Sequence, residues 1–317
     1  MSEIGLFITC EEHDGSTVLR TAQAAEDAGF ESLWISDHFH PWLDAQGESP
    51  FVWTVLGAIA ASTRLRVTTA VTCPIMRIHP VILAQAAATT AAMMPGRFRF
   101  GIGTGEALNE HVLGDKWPIA PVRLEMIEEA VALMRRLWTG DNVTEHGRYY
   151  TCENARLYTL PDEPPPVPMS AYGPKAIELA ASIADGLITT SPSADDLQAY
   201  RDQGGTGPSQ AGLKVCWGPD EEAARTLAHE RWATTGVPGQ LSQDLPTPAH
   251  FEQAIENVTV DQVAESISCG PDPEVHVAAI REYLDAGFDE VYVCQVGPDQ
   301  EGFLEFYRKE LAPRLDQ

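Results

Sequence analysis

Short apolar runs and amphipathic segments alternate along the whole chain. Eight runs have the length and apolar character of buried strands. Between them, apolar residues recur at helical spacing in stretches such as 15–28, 80–93, 123–138, 176–184, 220–234 and 273–286. This alternation predicts an α/β fold, a (β/α)8 TIM barrel rather than a doubly wound sheet. The predicted strands are 4–9, 32–36, 65–71, 98–102, 167–171, 186–190, 213–217 and 290–295.

Three segments depart from a minimal barrel. A turn region at 106–118, a hairpin at 143–160 and a polar stretch at 236–258 are longer than ordinary connections. Such insertions commonly wall the face of a barrel that carries the active site. The strand and helix pattern resumes after each of them. We therefore expect one barrel domain over residues 1–317 with these insertions.

The excess of acidic residues disfavours polyanionic partners, because like charges repel. The chain has 46 acidic and 21 basic residues, which gives a formal net charge of −25. Nucleic acids and anionic membranes bind basic footprints, so neither is expected as a partner. An anionic ligand must be held by local amides and a few placed cations, because the overall field repels it.

Cysteine usage and hydropathy predict a cellular location. The six cysteines show neither metal-site spacing nor a disulfide framework, and reduced thiols are typical of the cytosol. No apolar run approaches the roughly 18 residues of a spanning helix, and the N-terminus lacks a signal-peptide pattern. We expect a cytoplasmic protein.

The clearest chemical signal is the nonapeptide WISDHFHPW at 34–42. An apolar strand ends there, and it presents Asp37, His38 and Trp42 where α/β barrels carry reactive groups. Histidine is a base at neutral pH, a carboxylate can orient it, and an indole face can stabilise the imidazolium. The alternative is a hydrogen-bonded core histidine beside a core tryptophan.

A metal site is a second use for this segment. His38 and His40 form a His-X-His pair, which binds metal in some barrels. No later predicted strand ends in histidine or aspartate to complete such a site. We therefore expect no metal.

A glycine-rich segment, GIGTGEALNE at 101–110, follows the fourth predicted strand. It lets the backbone approach a flat ligand and presents Glu106 as a candidate acid. It lacks the third glycine and the acidic partner of a dinucleotide fingerprint, which excludes a Rossmann site. Glu11, just past the first strand, is either a further site carboxylate or a solvated helix-start residue. Lys175 either holds an anion at a helix N-terminus or lies on a helix surface.

Three segments together resemble the luciferase-like barrel oxidoreductases that use the deazaflavin coenzyme F420. They are SDHFHPW at 36–42, GTGEALNE at 103–110 and APRL at 312–315, and the likeness runs from about residue 4 to 315. Within that branch, the chain resembles the F420-dependent glucose-6-phosphate dehydrogenase subfamily. The resemblance implies a (β/α)8 barrel, usually a homodimer, with the deazaflavin ring at the carboxyl ends of the strands.

The resemblance also implies residue roles. His38 would remove a hydroxyl proton as hydride passes to the deazaflavin, and Glu106 would be the acid near the ring. Trp42 and Glu11 would shape and polarise the pocket. The Ala70–Val71 bond matches a non-prolyl cis peptide of the family. The positions that match contacts with F420 in the family are Asp37, Ala70, Val71, Cys73, Asn109, Ala171 and Gly173. Tyr172 and Lys175, at the start of a helix whose amides could hold a phosphate, are further candidate cofactor-binding residues.

One departure from the subfamily changes the expected substrate. Where its members grip a phosphate with two lysines and an arginine, this chain has Ser193, Ser242 and Ser266, the last beside Glu265. Losing three cations removes contacts worth typically about 1.5 to 3 kcal/mol each. His40 replaces an amide side chain as a second difference. We therefore expect an F420-dependent dehydrogenase acting on an unphosphorylated alcohol or lactol, or on a carbonyl in reverse.

Three alternatives remain open at this point. The chain could be an F420-dependent glucose-6-phosphate dehydrogenase proper. It could be an FMN-dependent monooxygenase of the same superfamily, which would consume oxygen and bind a yellow flavin. It could also bind F420 without catalysis, as a carrier or a sensor.

Overall fold

In the computed structural model, which describes residues 2–315, strands and helices alternate along the chain. The strands are β1 (Glu3–Ile8), β2 (Ser32–Ile35), β3 (Arg66–Thr69), β4 (Phe98–Arg99), β5 (Val143–His146), β6 (Thr151–Ala155), β7 (Pro168–Ser170), β8 (Gly186–Thr189), β9 (Ser209–Cys216), β10 (Ser268–Cys269) and β11 (Glu290–Gln295).

The helices lie mostly between these strands. They are α1 (Gly15–Asp27), α2 (Val52–Ser62), α3 (Pro80–Met93), α4 (Ala107–Glu110), α5 (Ala120–Leu137), α6 (Pro174–Ile183), α7 (Ala194–Asp202), α8 (Glu221–Trp232), α9 (Leu241–Asp244), α10 (Pro248–Ala254), α11 (Val260–Ala264), α12 (Pro273–Asp285), α13 (Gln300–Phe306) and α14 (Ala312–Leu315). Short 3₁₀ turns at His111–Leu113 and Ala233–Gly236 and a π turn at Tyr307–Leu311 adjoin them. Within residues 2–315, no helix is long and apolar enough to cross a membrane.

Eight parallel strands form a nearly closed barrel, which confirms the predicted fold class. Their order is β4-β3-β2-β1-β11-β9-β8-β7. A parallel bridge between Ile102 and Met169 joins the two ends of this series. All eight correspond to predicted strands, but β9 begins four residues before the predicted start at 213. The early part was missed because Gln210, a polar residue, is buried and bonded to the indole of Trp34 and to Glu290.

Aromatic side chains fill the inside of the barrel. The rings of Trp34 and Tyr292 stack at 4.5 Å, and Phe7 meets Trp34 edge-on at 5.7 Å. A Cβ on Gly212 would lie 2.4 Å from the Trp34 ring, so only glycine leaves room for this stack. The packed interior confines ligands to the ends of the barrel.

The three expected insertions have structure of their own. The first contains α4 and a 3₁₀ turn, and the second contains the antiparallel pair β5 and β6. The third contains α9 and α10. It is followed by α11 and by β10, a two-residue strand that pairs with β9 and lies outside the barrel path.

Candidate active site

The segments after β1 and β2 bring a carboxylate and an imidazole together at the barrel mouth. Oε1 of Glu11 lies 3.4 Å from Nε2 of His38. Glu11 is 2% exposed, so it is not a solvated helix-start residue. A buried carboxylate at this position orients the imidazole ring.

Ser36 fixes the Glu11 carboxylate from the opposite side. Its hydroxyl oxygen accepts a 2.8 Å hydrogen bond from the backbone N–H of Cys10. The hydroxyl proton is then donated to Oε2 of Glu11, at 2.5 Å. This leaves Oε1 to face His38.

Asn109 holds the other side of the imidazole. Its Oδ1 accepts hydrogen bonds from the backbone N–H groups of Phe39 and His40, at 2.9 and 3.2 Å. Its Nδ2 therefore faces Nδ1 of His38, 3.1 Å away. The carbonyl oxygen of His40 also lies 3.1 Å from that nitrogen. Because Nδ1 has both a donor and an acceptor in reach, the ring keeps one orientation with or without a proton there.

Glu106 lies on the far side of Asn109. It is the N-cap residue of α4, yet its side chain makes no capping hydrogen bond. Its Oε2 accepts a 3.4 Å hydrogen bond from Nδ2 of Asn109. One amide group thus connects the imidazole of His38 with the carboxylate of Glu106.

A buried ion network lies behind these groups. Asp37 accepts hydrogen bonds from the hydroxyl of Thr72, at 2.8 Å, and from Nη2 of Arg77, at 2.7 Å. The Asp37 side chain has no exposed surface, so its carboxylate cannot contact a ligand directly. The backbone N–H of Arg77 donates to Glu110 at 2.8 Å. Burial raises the pKa of Glu110 to about 7, although the Arg77 guanidinium opposes that shift.

Arg77 was not among the residues that the sequence singled out. It lies in the turn after β3, outside any recognisable motif. Only the fold shows that one guanidinium contacts both Asp37 and Glu110.

Aromatic rings form the wall beside His38. The Trp42 ring lies 5.0 Å from the His38 ring, and Phe251 meets Trp42 edge-on at 5.1 Å. The side-chain oxygen of Gln46 accepts a 2.8 Å hydrogen bond from the backbone N–H of Trp42 and so holds the backbone at Trp42 in place. Phe251 comes from the third insertion, and nothing in the sequence indicated this contact.

A cavity of about 380 Å³ opens beside Glu106. Apolar groups from Pro121 and Leu124 line it together with the cations of Arg123 and Lys175. The predicted positions that line it are Val71, Glu106, Tyr172, Gly173 and Lys175.

Two glycines line this cavity and pack closely against Val71 and Cys73. A Cβ on Gly103 would lie 2.6 Å from Cγ2 of Val71, and a Cβ on Gly105 would lie 2.5 Å from Sγ of Cys73. Gly105 also has φ of +71°, in the left-handed region that favours glycine. Because both glycines line the cavity and carry no side chain, bare backbone forms part of its wall.

The other predicted positions support the cavity from behind. Cys73 and Ala171 are buried, and burial raises the pKa of the Cys73 thiol. Ala70 packs against the aromatic cluster inside the barrel. The Ala70–Val71 peptide bond is cis, as the resemblance implies.

The three serines at the expected phosphate positions do not line the cavity beside Glu106. Ser193 is the N-cap of α7, where its hydroxyl accepts the backbone N–H of Asp196. Ser242 lies in α9, and its hydroxyl donates to the carbonyl of Gly239 at 2.9 Å. Ser266 is exposed after α11, beside the exposed Glu265.

A larger cavity, of about 580 Å³, opens at the amino ends of the strands. Its walls include Pro164, Pro165 and Pro166. Its two arginines are paired with carboxylates, Arg99 with Glu290 and Arg135 with Asp185. Because none of the catalytic candidates lines it, the cavity beside Glu106 is the better candidate site.

The described residues, 2–315, contain no group of three or more His, Cys, Asp and Glu side chains that could hold a metal ion. In the His-X-His pair, the His40 ring turns away to the carbonyl oxygen of Leu108, 2.9 Å from its Nδ1.

Known proteins resemble this chain over its whole length. The family model for luciferase-like monooxygenase matches residues 3–290. The F420-dependent glucose-6-phosphate dehydrogenase of Nakamurella multipartita is 37% identical, over 98% of this chain and 96% of that protein. The F420-dependent hydroxymycolic acid dehydrogenase of Mycobacterium tuberculosis is 34% identical, over 98% of this chain and 88% of that protein.

A solved structure agrees with these relatives. An F420-dependent secondary alcohol dehydrogenase, in complex with an F420-acetone adduct, superposes with a TM-score of 0.90 at 32% identity, over 99% of both chains. The barrel, the motifs at its mouth and these likenesses agree, and the chain belongs to the luciferase-like family, among its F420-dependent oxidoreductases.

Proposed function

We propose that this protein is an F420-dependent dehydrogenase of an unphosphorylated alcohol or lactol, or of the matching carbonyl in reverse. The observation that carries the proposal is the pair of Glu11 and His38 at the barrel mouth, connected through Asn109 to Glu106. When bound, F420 supplies the hydride acceptor, or the hydride donor in the reverse direction.

The residues around the smaller cavity fit this coenzyme. The bare backbone at Gly103 and Gly105 and the apolar walls suit a flat ring. Lys175 provides a cation for a phosphate-bearing tail at the amino end of α6, and the buried Arg123 guanidinium supports the cavity wall through its hydrogen bond to Gln243. We assign direct contact with F420 to Val71, Tyr172, Gly173 and Lys175. The positions Asp37, Ala70, Cys73, Asn109 and Ala171 would support these contacts.

His38 is the proposed base. Its Nε2 lies 3.4 Å from Glu11, longer than the roughly 2.7–2.9 Å of a tight charge-assisted hydrogen bond, so Glu11 does not bind it tightly. Nε2 can therefore take the hydroxyl proton of the alcohol. The adjacent Glu11 then stabilises the imidazolium, and Asn109 keeps the ring in place.

Glu106 is the proposed acid beside the ring. Its carboxyl lines the cavity and makes no capping bond to α4, which leaves it available to hold a proton there. Trp42 and Phe251 form an aromatic wall beside His38. Apolar walls lower the local dielectric constant and so strengthen the interaction between Glu11 and His38.

The serines support an unphosphorylated substrate. Ser193, Ser242 and Ser266 offer hydroxyls in place of cations, and the exposed Glu265 adds a negative charge next to Ser266. A dianionic sugar phosphate would lose the charge-assisted contacts on which its binding depends. The similar secondary alcohol dehydrogenase is consistent with a small, neutral substrate.

Spectroscopic titration followed by a substrate panel tests this proposal. We expect the purified protein to bind F420 but not FMN, and to reduce F420 with simple alcohols far faster than with glucose-6-phosphate. Efficient oxidation of glucose-6-phosphate would refute the substrate assignment and favour the sugar-phosphate alternative. Oxygen consumption with FMN would favour the monooxygenase. Tight F420 binding without turnover across the panel would favour a carrier or sensor.

Two further expectations accompany this function. We expect a single barrel domain that forms a homodimer, and a cytoplasmic location. Size-exclusion chromatography with light scattering tests the first, and cell fractionation tests the second.

A further inference from the structure

Two cysteines are direct neighbours where β10 meets β9. Cys216 and Cys269 are register partners in this parallel pair. Neighbouring strands lie about 4.8 Å apart, within the about 4.4–6.8 Å between Cα atoms that a disulfide spans. The thiol of Cys269 donates to the carbonyl oxygen of Ile267 at 3.2 Å, and the thiol of Cys216 lies 3.9 Å from the carbonyl oxygen of Val296. The backbone N–H of Gly270 also donates to the carbonyl of Cys216 at 3.0 Å and holds this register.

The two thiols have unequal surroundings. Cys216 is fully buried among apolar side chains of α8 and α11, such as Ala224 and Val263. Cys269 is partly exposed. The adjacent Cys216 thiol and the nearby Arg225 guanidinium lower the pKa of Cys269, whereas the adjacent Cys269 thiol and burial raise the pKa of Cys216. The accessible thiol is therefore also the more readily ionised one.

We infer that Cys216 and Cys269 form a reversible dithiol–disulfide site that is oxidised by small disulfides of the glutathione type. The Cys269 thiolate attacks the small disulfide, which breaks its S–S bond and releases one small thiol after protonation. Cys216 then loses its proton and attacks the Cys269 sulfur, which releases the second small thiol. The two protein thiols are oxidised by two electrons, and one small disulfide is reduced to two thiols.

The two cysteines lie where the segment 236–267 returns to the barrel. Residues 236–267 leave the barrel after α8 and come back at β10, which has two residues and pairs only with β9 among residues 2–315. On the way, Gln243 lines the cavity and Phe251 packs against Trp42. The cross-link ties the returning end of this segment to β9. It rests on the two thiols alone and does not depend on the proposed substrate.

Mass spectrometry of the full chain tests the inference. The reduced protein is incubated with oxidised glutathione, blocked with N-ethylmaleimide and digested without reductant. We expect a protein two hydrogens lighter, with a peptide cross-linked between Cys216 and Cys269, and full reversal by dithiothreitol. A glutathione adduct on Cys269 without the cross-link, or no reaction at either thiol, would overturn the inference.

Variants and proteolysis complete the test. Cys269→Ser should abolish the cross-link, whereas Cys152→Ser, which changes a buried cysteine in the β5–β6 hairpin, should leave it intact. In limited proteolysis, the oxidised protein should be cut within 236–267 at least about threefold more slowly than the reduced protein. Equal rates would show that the disulfide does not fix this segment. A cross-link that persists in Cys269→Ser would assign it to other thiols.

Discussion

The hydroxyl of Ser36 donates a 2.5 Å hydrogen bond to Glu11, and the backbone N–H of Cys10 donates to the same hydroxyl. The serine therefore connects the backbone after β1 with the end of β2. It leaves one oxygen of Glu11 for His38. In the proposed mechanism, Ser36 is a positioning residue that acts through Glu11.

Ser36→Ala should lower kcat about 10- to 100-fold, because a hydrogen bond to a charged group is worth about 1.5 to 3 kcal/mol. The Kd for F420 should stay within about twofold, since Ser36 does not line the cavity. Steady-state kinetics and F420 titration measure both values. Ser36→Thr keeps the hydroxyl and should recover most of kcat. If KM rose while kcat stayed constant, the positioning role would be wrong.

His38→Ala should reduce kcat by about 10² to 10⁴, the usual contribution of a general base. The Kd for F420 should change little, because Asn109 lies between the His38 ring and Glu106, and His38 does not line the cavity. His79→Ala, which changes a histidine at the start of α3, is a matched control and should keep normal turnover. Turnover of His38→Ala within a few-fold of wild type at saturating F420 would rule out the base assignment.

Lys175→Ala should weaken F420 binding about 2- to 5-fold, because it removes a cation from the cavity wall. A deazaflavin without the phosphate-bearing tail should bind equally well to both proteins. Fluorescence titration with the two ligands at low and at high salt measures this difference. Lys309→Ala, which removes a cation paired with Glu305, serves as the control. Equal weakening for both ligands would place Lys175 near the ring instead.

Glu110 makes stability depend on pH. Its pKa is raised from 4.5 to about 7. Between these two pH values, the Glu110 carboxyl is protonated in the folded state but has lost its proton in the unfolded state. The contribution of this group to the free energy of unfolding is fully present below about pH 4.5 and is lost as the pH rises through about 7. Glu110→Gln should flatten that dependence by about 1 to 3 kcal/mol. Urea unfolding between pH 4.5 and 8 measures it.

Glu128→Gln is the control for this measurement, since Glu128 is an exposed carboxylate on α5. It should leave the pH dependence unchanged. If Glu110→Gln and wild type lost stability in parallel over this range, Glu110 would not be the responsible group.

Local sequence patterns predicted the strands of the barrel and several residues of the candidate site. The alternation of apolar runs with amphipathic stretches predicted the eight barrel strands, because burial on both faces of a parallel sheet imposes continuous apolar segments. The segment at 34–42 indicated His38, and the segment at 101–110 indicated Glu106, since each follows a strand directly. Strand ends and glycine turns are local features, and a sequence displays them.

The tertiary structure decided which distant residues meet. Glu11 is buried against His38 only because β1 and β2 are neighbours at a particular register. Arg77 reaches two carboxylates whose positions, 37 and 110, are far apart in the chain. The pairing of Cys216 with Cys269 follows from the register of β10 on β9, over more than fifty residues. Such contacts depend on strand order and register, which are set by packing of the whole barrel, so no local pattern of the sequence records them.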